Sequence, residues 1–413
     1  MQLGEELQAR GFIHEVANGD LQKILTEKRT AYLGIDPTAD SLHVGNLVPL
    51  LLAAHLKQHG HNVIILVGGA TGQIGDPSGK SSERILLDSL TLKKNAAAQT
   101  TQIKKLFKDH SFLVVNNANW LNDVKLLDFL RDIGKHFTVN TLIKRDIVRN
   151  RIEQDEQSIS FTEFSYSLLQ AYDFWHLFRT ERCNLQIGAS DQWANIISGI
   201  DLIRRKEEQD AFGIVTPLVT DSSGKKFGKS EGNAIWLDAE KTSPYQFYQF
   251  WINTPDADLV HYLKIFTFFS LTEIDELIVA HHKEKGLRMG QKALARAVTS
   301  LIHGEEAAEA AAQVSQVLFS GSVGKLTKQE KEMLFAAAPT HTLAEPDTLE
   351  NILVASNLAT SLSDARTLIQ SGAVRVGSEK ISGSRTEIDE TYFSEDIALL
   401  KKGKRDILIL SLK

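Results

Sequence analysis

The sequence predicts an α/β protein: a Rossmann-like domain on a parallel sheet, then an all-helical region, then a small α+β domain. Three observations carry this. "AYLGID" (Ala31–Asp36), "NLVPLLLAAHLKQHG" and "NVIILVGG" (Asn62–Gly69) read in close succession as strand, helix and strand. That is a βαβ unit, whose strands are parallel and whose crossover is right-handed. Helical periodicity runs from Ser243 to about Leu318, and after Ala336 the pattern turns to two short helices and alternating strands.

The elements follow in order. The first strand ends in the turn "PTADSLHVG"; the helix after it ends at Gly60. The second strand is β-branched and does not alternate, as expected of a strand buried on both faces. Ser82 to Phe107 is helical, "FLVVNN" strand-like, and "LLDFLRDIG" helical. "FTEFSYSLLQAYDFWHLF" is a long helix with few charges. "NLQIGASDQWANIISGIDLI" reads as strand, turn and helix, and "GIVTPLVT" (Gly213–Thr220) as a strand leading into a loop. The proline- and threonine-containing stretch 336–348 reads as a linker. No internal repeat or low-complexity tract is present.

Composition narrows the function classes. A chain of 413 residues suggests two or three domains, and 42% hydrophobic with 24% charged residues suits a soluble globular protein. The net charge of −6 gives no global basic field, so any nucleic acid would need a local patch. A single cysteine, Cys183, excludes an intrachain disulfide framework. No apolar run reaches membrane-span length, and the N-terminus, with Glu5, Glu6 and Glu15, resembles no targeting segment. The expected location is cytoplasmic.

Two loops carry the chemistry. "SSGKKFGKSEGN" (Ser222–Asn233) nearly fits a phosphate loop, but its leading glycine, Gly224, is one place too close to Gly228-Lys229-Ser230. Lysine-and-glycine loops are as often solvated turns. The other loop follows the first strand, where ligands of open parallel sheets bind. It lacks the dinucleotide fingerprint and reads His43-Val44-Gly45-Asn46, opening a helix. Gly45 leaves room for a flat group against the backbone, and a helix N-terminus favours anions.

His43-Val44-Gly45-Asn46 resembles the His-Ile-Gly-His signature of class I aminoacyl-tRNA synthetases, and "KFGKS" resembles their Lys-Met-Ser-Lys-Ser signature. The longer stretches "YLGIDPTADSLHVGNL", "GGATGQIGDPSGK", "FTEFSYSLLQAYDF" and "IGASDQW" are similar to those of bacterial-type tyrosyl-tRNA synthetases, over nearly the whole chain.

The resemblance implies activation of L-tyrosine by ATP, with Mg2+ accompanying the ATP and no tightly bound cofactor, then transfer to tyrosine tRNA. It implies Lys226, Lys229 and Ser230 on a loop closing over the triphosphate, and Thr38 and His43 at the departing pyrophosphate. Tyr32 and Asp173 resemble the partners of the substrate hydroxyl, supported by Asn117. Tyr166, Gln170 and Asp76 resemble the ammonium site, and Gln192 a group near the reacting carboxylate. Independently of family, Tyr166, Gln170 and Asp173 lie at i, i+4 and i+7, one polar stripe of an apolar helix. Gly34, Asp36, Gly45, Asn46, Asp191 and Lys229 fall at the nucleotide. Lys80 and Arg84 match positions acting in the family's phosphate and tRNA steps.

A pocket built on a buried carboxylate rejects phenylalanine, which would leave that carboxylate unpaired. Three positions depart from the family's pattern: Asn46 for the second signature histidine, Leu33 for a usual cysteine, and Ala189 for a usual glycine. "SLSDARTLIQSGAVRVGSEKIS" resembles the RNA-binding domain first named from a ribosomal small-subunit protein. It offers Arg366, Arg375, Lys380 and Arg385, then Lys401, Lys402, Lys404 and Arg405 around a turn.

The expected layout is a catalytic domain over 1–225, a signature loop and helical tRNA-binding region over 226–335, the linker 336–348, and an RNA-binding domain over 349–413. The family is homodimeric, with Phe161 in its interface region. Two rivals share features: a tryptophanyl-tRNA synthetase, opposed by Tyr32, Asp173 and the C-terminal domain, and a non-catalytic RNA-binding relative, opposed by a complete site.

Overall fold

The computed structural model describes residues 1–78, 87–106, 112–143, 149, 159–220, 227, 229–230, 233–383, 386–403 and 406–413; residues 229, 230 and 233 are described by their backbone alone. The chain forms two compact units, Met1–Lys241 with Pro255–Lys283, and Thr242–Thr254 with Glu284–Lys413. Among the described residues no helix is long and apolar enough to cross a membrane.

The first unit is built on a six-stranded sheet. Its strands are β1 (Glu15–Ala17), β2 (Thr30–Ile35), β3 (Asn62–Val67), β4 (Leu113–Asn116), β5 (Leu185–Ala189) and β6 (Phe212–Thr216), in the order β1-β6-β5-β2-β3-β4. Five are parallel, and β1 pairs antiparallel with β6 at the edge. The chain leaves β2 toward β3 and β4, then returns to build β5 and β6 on the other side. The switch in strand order therefore lies between β2 and β5, where ligands enter such sheets.

Local sequence explains the walls of that switch. β3, "NVIILV", buries every residue after Asn62. The helix Leu47–Gln58 is almost wholly buried beside it, with Pro49 in its first turn, where no intrahelical hydrogen bond is lost. The helix Phe161–Glu181 begins with a capping box: Glu163 N–H donates to Ser160 Oγ (3.2 Å) and Ser160 N–H to the Glu163 carboxylate (3.4 Å). β6 ends at Thr216, short of the expected Thr220, because Pro217 has no N–H for the ladder.

The helices Asp256–Phe266 and Leu271–Lys283, expected in a separate helical region, belong to the first unit. A long-range contact accounts for this. The Arg10 guanidinium, 3% exposed, donates to the carbonyls of Lys264 (3.1 Å), Thr267 (3.4 Å) and Phe269 (2.7 Å). A cation at the carboxyl end of a helix satisfies carbonyls that the helix leaves unpaired.

In the second unit the stretch expected as a linker is part of a sheet. Two-residue strands β7 (Lys229–Ser230) and β8 (Asn233–Ala234) pair in the first unit, so numbering resumes with β9 (Thr340–Leu343), which pairs parallel with β15. The five-stranded order is β12 (Glu379–Lys380), β11 (Val374–Val376), β14 (Ile397–Lys402), β15 (Asp406–Leu412), β9. β10 (Asp347–Thr348) pairs with β13 (Glu387–Ile388). Pro339 marked the stretch as irregular in sequence, yet its carbonyl accepts from Ile409 N–H (2.8 Å) and starts the pairing. One face of this sheet packs Val374, Val376, Leu400 and Leu410 on Leu353 and Ile369. The other packs Leu399 and Ile409 on Val314, Val317 and Leu334 of the preceding helices, so helical region and C-terminal domain share one core.

Candidate active site

At the floor of the cleft between β2 and β5, Tyr32 stands opposite Gln186, and both are buried. Neither the Tyr32 hydroxyl nor Gln186 Oε1 has a hydrogen-bond partner. A buried polar atom without a partner costs about 1–3 kcal/mol, so both mark places where a ligand can pay that cost back.

Asp173 comes from the helix Phe161–Glu181 and is 2% exposed. Its Oδ1 accepts from the Trp120 indole (2.7 Å) and its Oδ2 from the Asn117 amide (2.9 Å). Burial pushes its carboxyl up to about 7, against these two donors, which pull it down. Burial and the Asp173 charge hold the Tyr32 phenol well above its ordinary value.

Asn117 extends the network. Its amide also donates to Thr71 Oγ1 (2.9 Å), and Ala70 N–H donates to its oxygen (2.8 Å). Thr71 then donates to Asp36 Oδ1 (2.8 Å), and the Tyr166 hydroxyl to Asp36 Oδ2 (2.7 Å). A fixed chain of hydrogen bonds thus runs from Asp173 to the carboxyl end of β2. Tyr166 is pushed up by burial first and then by the charges of Asp36, Asp76 and Asp173. Three carboxylates acting on one phenol make a local field that favours a cation.

Asp76 is held by Gln192, whose amide donates to Oδ2 (2.6 Å), and by Ser78 N–H (3.0 Å), with Asn195 adding a longer bond (3.4 Å). Gln192 and Asp191 sit in the turn Ser190–Gln192 directly after β5. Gln170 is half-buried on the same helix face as Tyr166 and Asp173. Gly34 is exposed at the end of β2, where the nearest atom to a Cβ would be Tyr32 Cε2, 3.9 Å away. Thr38 is exposed, its N–H bonded to the Asp36 carbonyl (2.8 Å).

His43 caps the short turn Val44–Asn46 that opens the helix Leu47–Gln58. Its Nδ1 accepts from Gly45 N–H (3.0 Å), and its own N–H donates to Asn46 Oδ1 (3.0 Å). An accepting Nδ1 places the ring proton on Nε2, which is then a donor. A Cβ at residue 45 would lie 2.8 Å from His43 Cε1, so a larger residue would displace the capping ring. Asn46 spends its amide oxygen on the cap, so the group it can offer a ligand is its NH2.

The two signature loops are joined. Val44 N–H donates to the Ile235 carbonyl (2.9 Å) and Leu237 N–H to the Leu42 carbonyl (2.9 Å), and the His43 ring packs edge-on against Trp236 (6.1 Å). Lys241, which lies over Trp236, pairs with Asp40 (2.6 Å). At the loop's other end Phe227 stacks on Phe266 (4.9 Å). Lys226 lies outside the described residues, as do Lys80 and Arg84; Lys229 and Ser230 are placed by their backbone, as β7.

Of the residues expected from sequence, Tyr32, Asp36, Asp76, Asn117, Tyr166, Asp173 and Gln192 come together as described. Thr71, Trp120, Gln186 and Asn195 were not anticipated. Trp120 follows β4, so the carboxyl-end rule applied to that strand would have pointed to it. In the second unit Arg366 is tied to Glu350 (3.2 Å), and Lys402 donates to the Leu358 carbonyl (2.7 Å). Arg375, Lys380 and Lys401 lie in one cross-strand row; Arg385, Lys404 and Arg405 lie outside the described residues.

A parallel sheet with a histidine-glycine turn at its switch point, bonded to the stem of a lysine loop, defines a class I aminoacyl-tRNA synthetase. Residues 24–320 match the family described as tRNA synthetases class I (W and Y), and residues 330–410 the tyrosine–tRNA ligase SYY-like C-terminal domain. The chain is 46% identical to tyrosine–tRNA ligase 2 of Enterococcus faecalis, covering 98% of each, and 45% identical to the tyrosine–tRNA ligase of Listeria welshimeri over the full length of both. It superimposes on a C-terminally truncated Aspergillus nidulans mitochondrial tyrosyl-tRNA synthetase with a TM-score of 0.70 at 35% identity, covering 77% of this chain and 94% of that one. The chain belongs to the tyrosine–tRNA ligase family. It is an ATP-dependent aminoacyl-tRNA synthetase whose substrates are tyrosine and tRNA.

The Asp173 carboxyl near 7 gives tyrosine binding a pH dependence. If the substrate phenol donates to Asp173, it favours the ionised form, and binding then releases a proton and tightens from pH 6 to pH 8. Tyrosine titrations by calorimetry, in buffers of different ionisation enthalpy, should show release of about half a proton at pH 7, approaching one at pH 6, and none in Asp173→Asn.

Proposed function

We propose that the network around Asp173 is the tyrosine-reading part of the site, and that each loop acts on the phosphates. The observation that carries this is the pairing of a buried, two-donor-clamped carboxylate with the unpartnered Tyr32 hydroxyl. A phenol between them donates to Asp173 and accepts from Tyr32, which satisfies both. The substrate ammonium is then held by Tyr166, Gln170 and Asp76, and its carboxylate lies near Gln192. The nucleotide lies along Gly34, Asp36, Gly45, Asn46 and Asp191.

The tyrosine carboxylate attacks the α-phosphorus in line, forming the acyl–phosphate bond and expelling pyrophosphate. The terminal ribose hydroxyl of tRNA then attacks the adenylate carbonyl and expels AMP. No side chain is covalently modified; the protein positions the reactants and stabilises charge. Thr38, His43, Lys226, Lys229 and Ser230 act where charge builds on the leaving pyrophosphate. Among the described residues no group of three or more His, Cys, Asp or Glu could hold a metal ion. Magnesium would enter with ATP, on its phosphates.

The reading includes a cytoplasmic location and a homodimer. Leu126, Leu127, Val139 and Phe161, all in the segment between β4 and β5, are each more than half exposed, which favours an apolar interface between two copies. Sedimentation equilibrium should return twice the chain mass of 45.9 kDa, falling toward one chain in Phe161→Asp. The tRNA would be held by Arg366, Arg375, Lys380, Lys401, Lys402, Lys404 and Arg405. The test of the site is exchange of labelled pyrophosphate into ATP with tyrosine, tryptophan, phenylalanine or no amino acid. Exchange with tyrosine alone supports the pocket; exchange with tryptophan overturns it.

A further inference from the structure

Phe319 is 90% exposed, the most exposed large apolar side chain among the described residues. It ends the helix Glu305–Ser320, whose neighbouring Val317 and Leu318 are buried in the core shared with the sheet. A single exposed phenylalanine is ordinary. The backbone that carries this one is tied down beside a cation. Lys401 Nζ donates to the Phe319 carbonyl (2.7 Å), capping the last turn of the helix. Gly321, at φ +84°, lets the chain turn so tightly that a Cβ there would lie 2.4 Å from the Gly377 carbonyl oxygen. The backbone of Phe319 is thus held near the end of β11, with its ring open to solvent.

The sheet supplies the charge. Arg375 pairs with Lys380 on one side and Lys401 on the other, and residues directly opposite on antiparallel strands point to the same face. Lys380, Arg375 and Lys401 therefore form one transverse row. Arg375 and Lys380 are exposed and make no ion pair among the described residues, whereas Arg366 and Lys402 are engaged by Glu350 and Leu358.

We propose that Phe319 and this row form a seat for one unpaired nucleotide of the bound tRNA, with the base stacked on the ring and the flanking phosphates on Arg375 and Lys380. The inference rests on the reading of the second unit as a tRNA-binding face, and adds a residue from outside the C-terminal domain. Paired RNA keeps its base faces stacked inside the helix, whereas loops and ends expose them, so an open aromatic ring beside phosphate-binding cations selects a single-stranded position. Stacking tolerates any base, so the seat orders the strand without reading it.

The test uses the full-length enzyme and charging of tyrosine tRNA, with tyrosine-dependent pyrophosphate exchange, which needs no tRNA, normalising for folded enzyme. Phe319→Ala and Phe319→Leu should each raise the KM for tRNA about tenfold, while Phe319→Trp keeps it near the wild-type value. Arg375→Ala should raise it too, and lower the salt dependence of tRNA binding by about one phosphate. A leucine variant equal to wild type overturns stacking, because leucine keeps apolar contact without a flat face. If Arg375→Ala raises the KM and Phe319→Ala does not, the seat is wrong and the tRNA face stands. If neither moves it, the tRNA face falls as well.

Discussion

Asp173→Asn is expected to lower kcat/KM for tyrosine activation by about 10–10², with little effect on the residual activation of phenylalanine. The substitution is nearly isosteric, so the effect comes from hydrogen-bond polarity. Asp173 accepts from Trp120 on one oxygen and from Asn117 on the other. An asparagine has only one accepting oxygen, so its NH2 must face either the indole N–H or the Asn117 amide. Asn117 cannot turn over to help, because its oxygen is taken by Ala70 N–H and its nitrogen also serves Thr71.

A buried donor left unmatched costs about 1–3 kcal/mol, and losing a charge-assisted bond to the substrate phenol about 1.5–3. The unmatched donor weighs on the fold with or without substrate, so the lost phenol bond alone sets the change in kcat/KM, about 10–10². Sites that hydrogen-bond a substrate hydroxyl discriminate by about 10⁴–10⁵, tyrosyl-tRNA synthetase being the standard example, so the tyrosine preference should fall by that same 10–10² without vanishing. The measurement is pyrophosphate exchange with tyrosine and phenylalanine on both proteins. A variant that keeps full preference would show that Asp173 does not touch the phenol.

The same substitution makes a stability statement of opposite sign. The folded carboxyl lies near 7, above the unfolded value of 3.8, so the native state binds the extra proton. The stability linked to Asp173 is present below about pH 4 and is lost as pH rises through 7. Function therefore holds a carboxylate where the empty fold would prefer a neutral group. That is how a binding site differs from a core: the network is complete only with its ligand.

What could be read from sequence was what repeats or lies close along the chain. The βαβ unit was legible because β2 and β3 are continuous apolar runs, and the stripe Tyr166, Gln170, Asp173 because helical spacing brings those residues onto one face. The Thr71–Asp36 and Trp120–Asp173 bonds join residues 35 and 53 positions apart on different elements, and no periodicity encodes them. The helix Asp256–Phe266 looked like its helical neighbours, and the buried Arg10 near the chain's other end binds its last turn. β9 is four residues long, and its strand partner among the described residues is β15, far along the chain, so it read as a linker.

His43→Ala is expected to lower kcat of the activation step by about 10²–10³, with the KM for ATP nearly unchanged. That pattern marks a donor used in the transition state alone. The geometry favours it. Gly45 N–H fixes the tautomer, so Nε2–H is presented without reorganisation, at the N-terminal end of a helix where negative charge is already favoured. The ring also caps that turn, so the alanine variant loses about 1 kcal/mol of stability and about 2–4 °C in Tm. His43→Asn separates the two roles. Asparagine is among the best capping residues and should restore Tm, but its shorter amide does not reach where Nε2 does, so kcat should stay low. Should asparagine restore both, His43 acts by holding the turn; should alanine raise the KM for ATP at unchanged kcat, it binds the ground state. Because Val44 and Leu42 are bonded to Ile235 and Leu237, a displaced turn would also shift the stem of the lysine loop. The asparagine control therefore tests as well whether the two signatures act through one backbone connection.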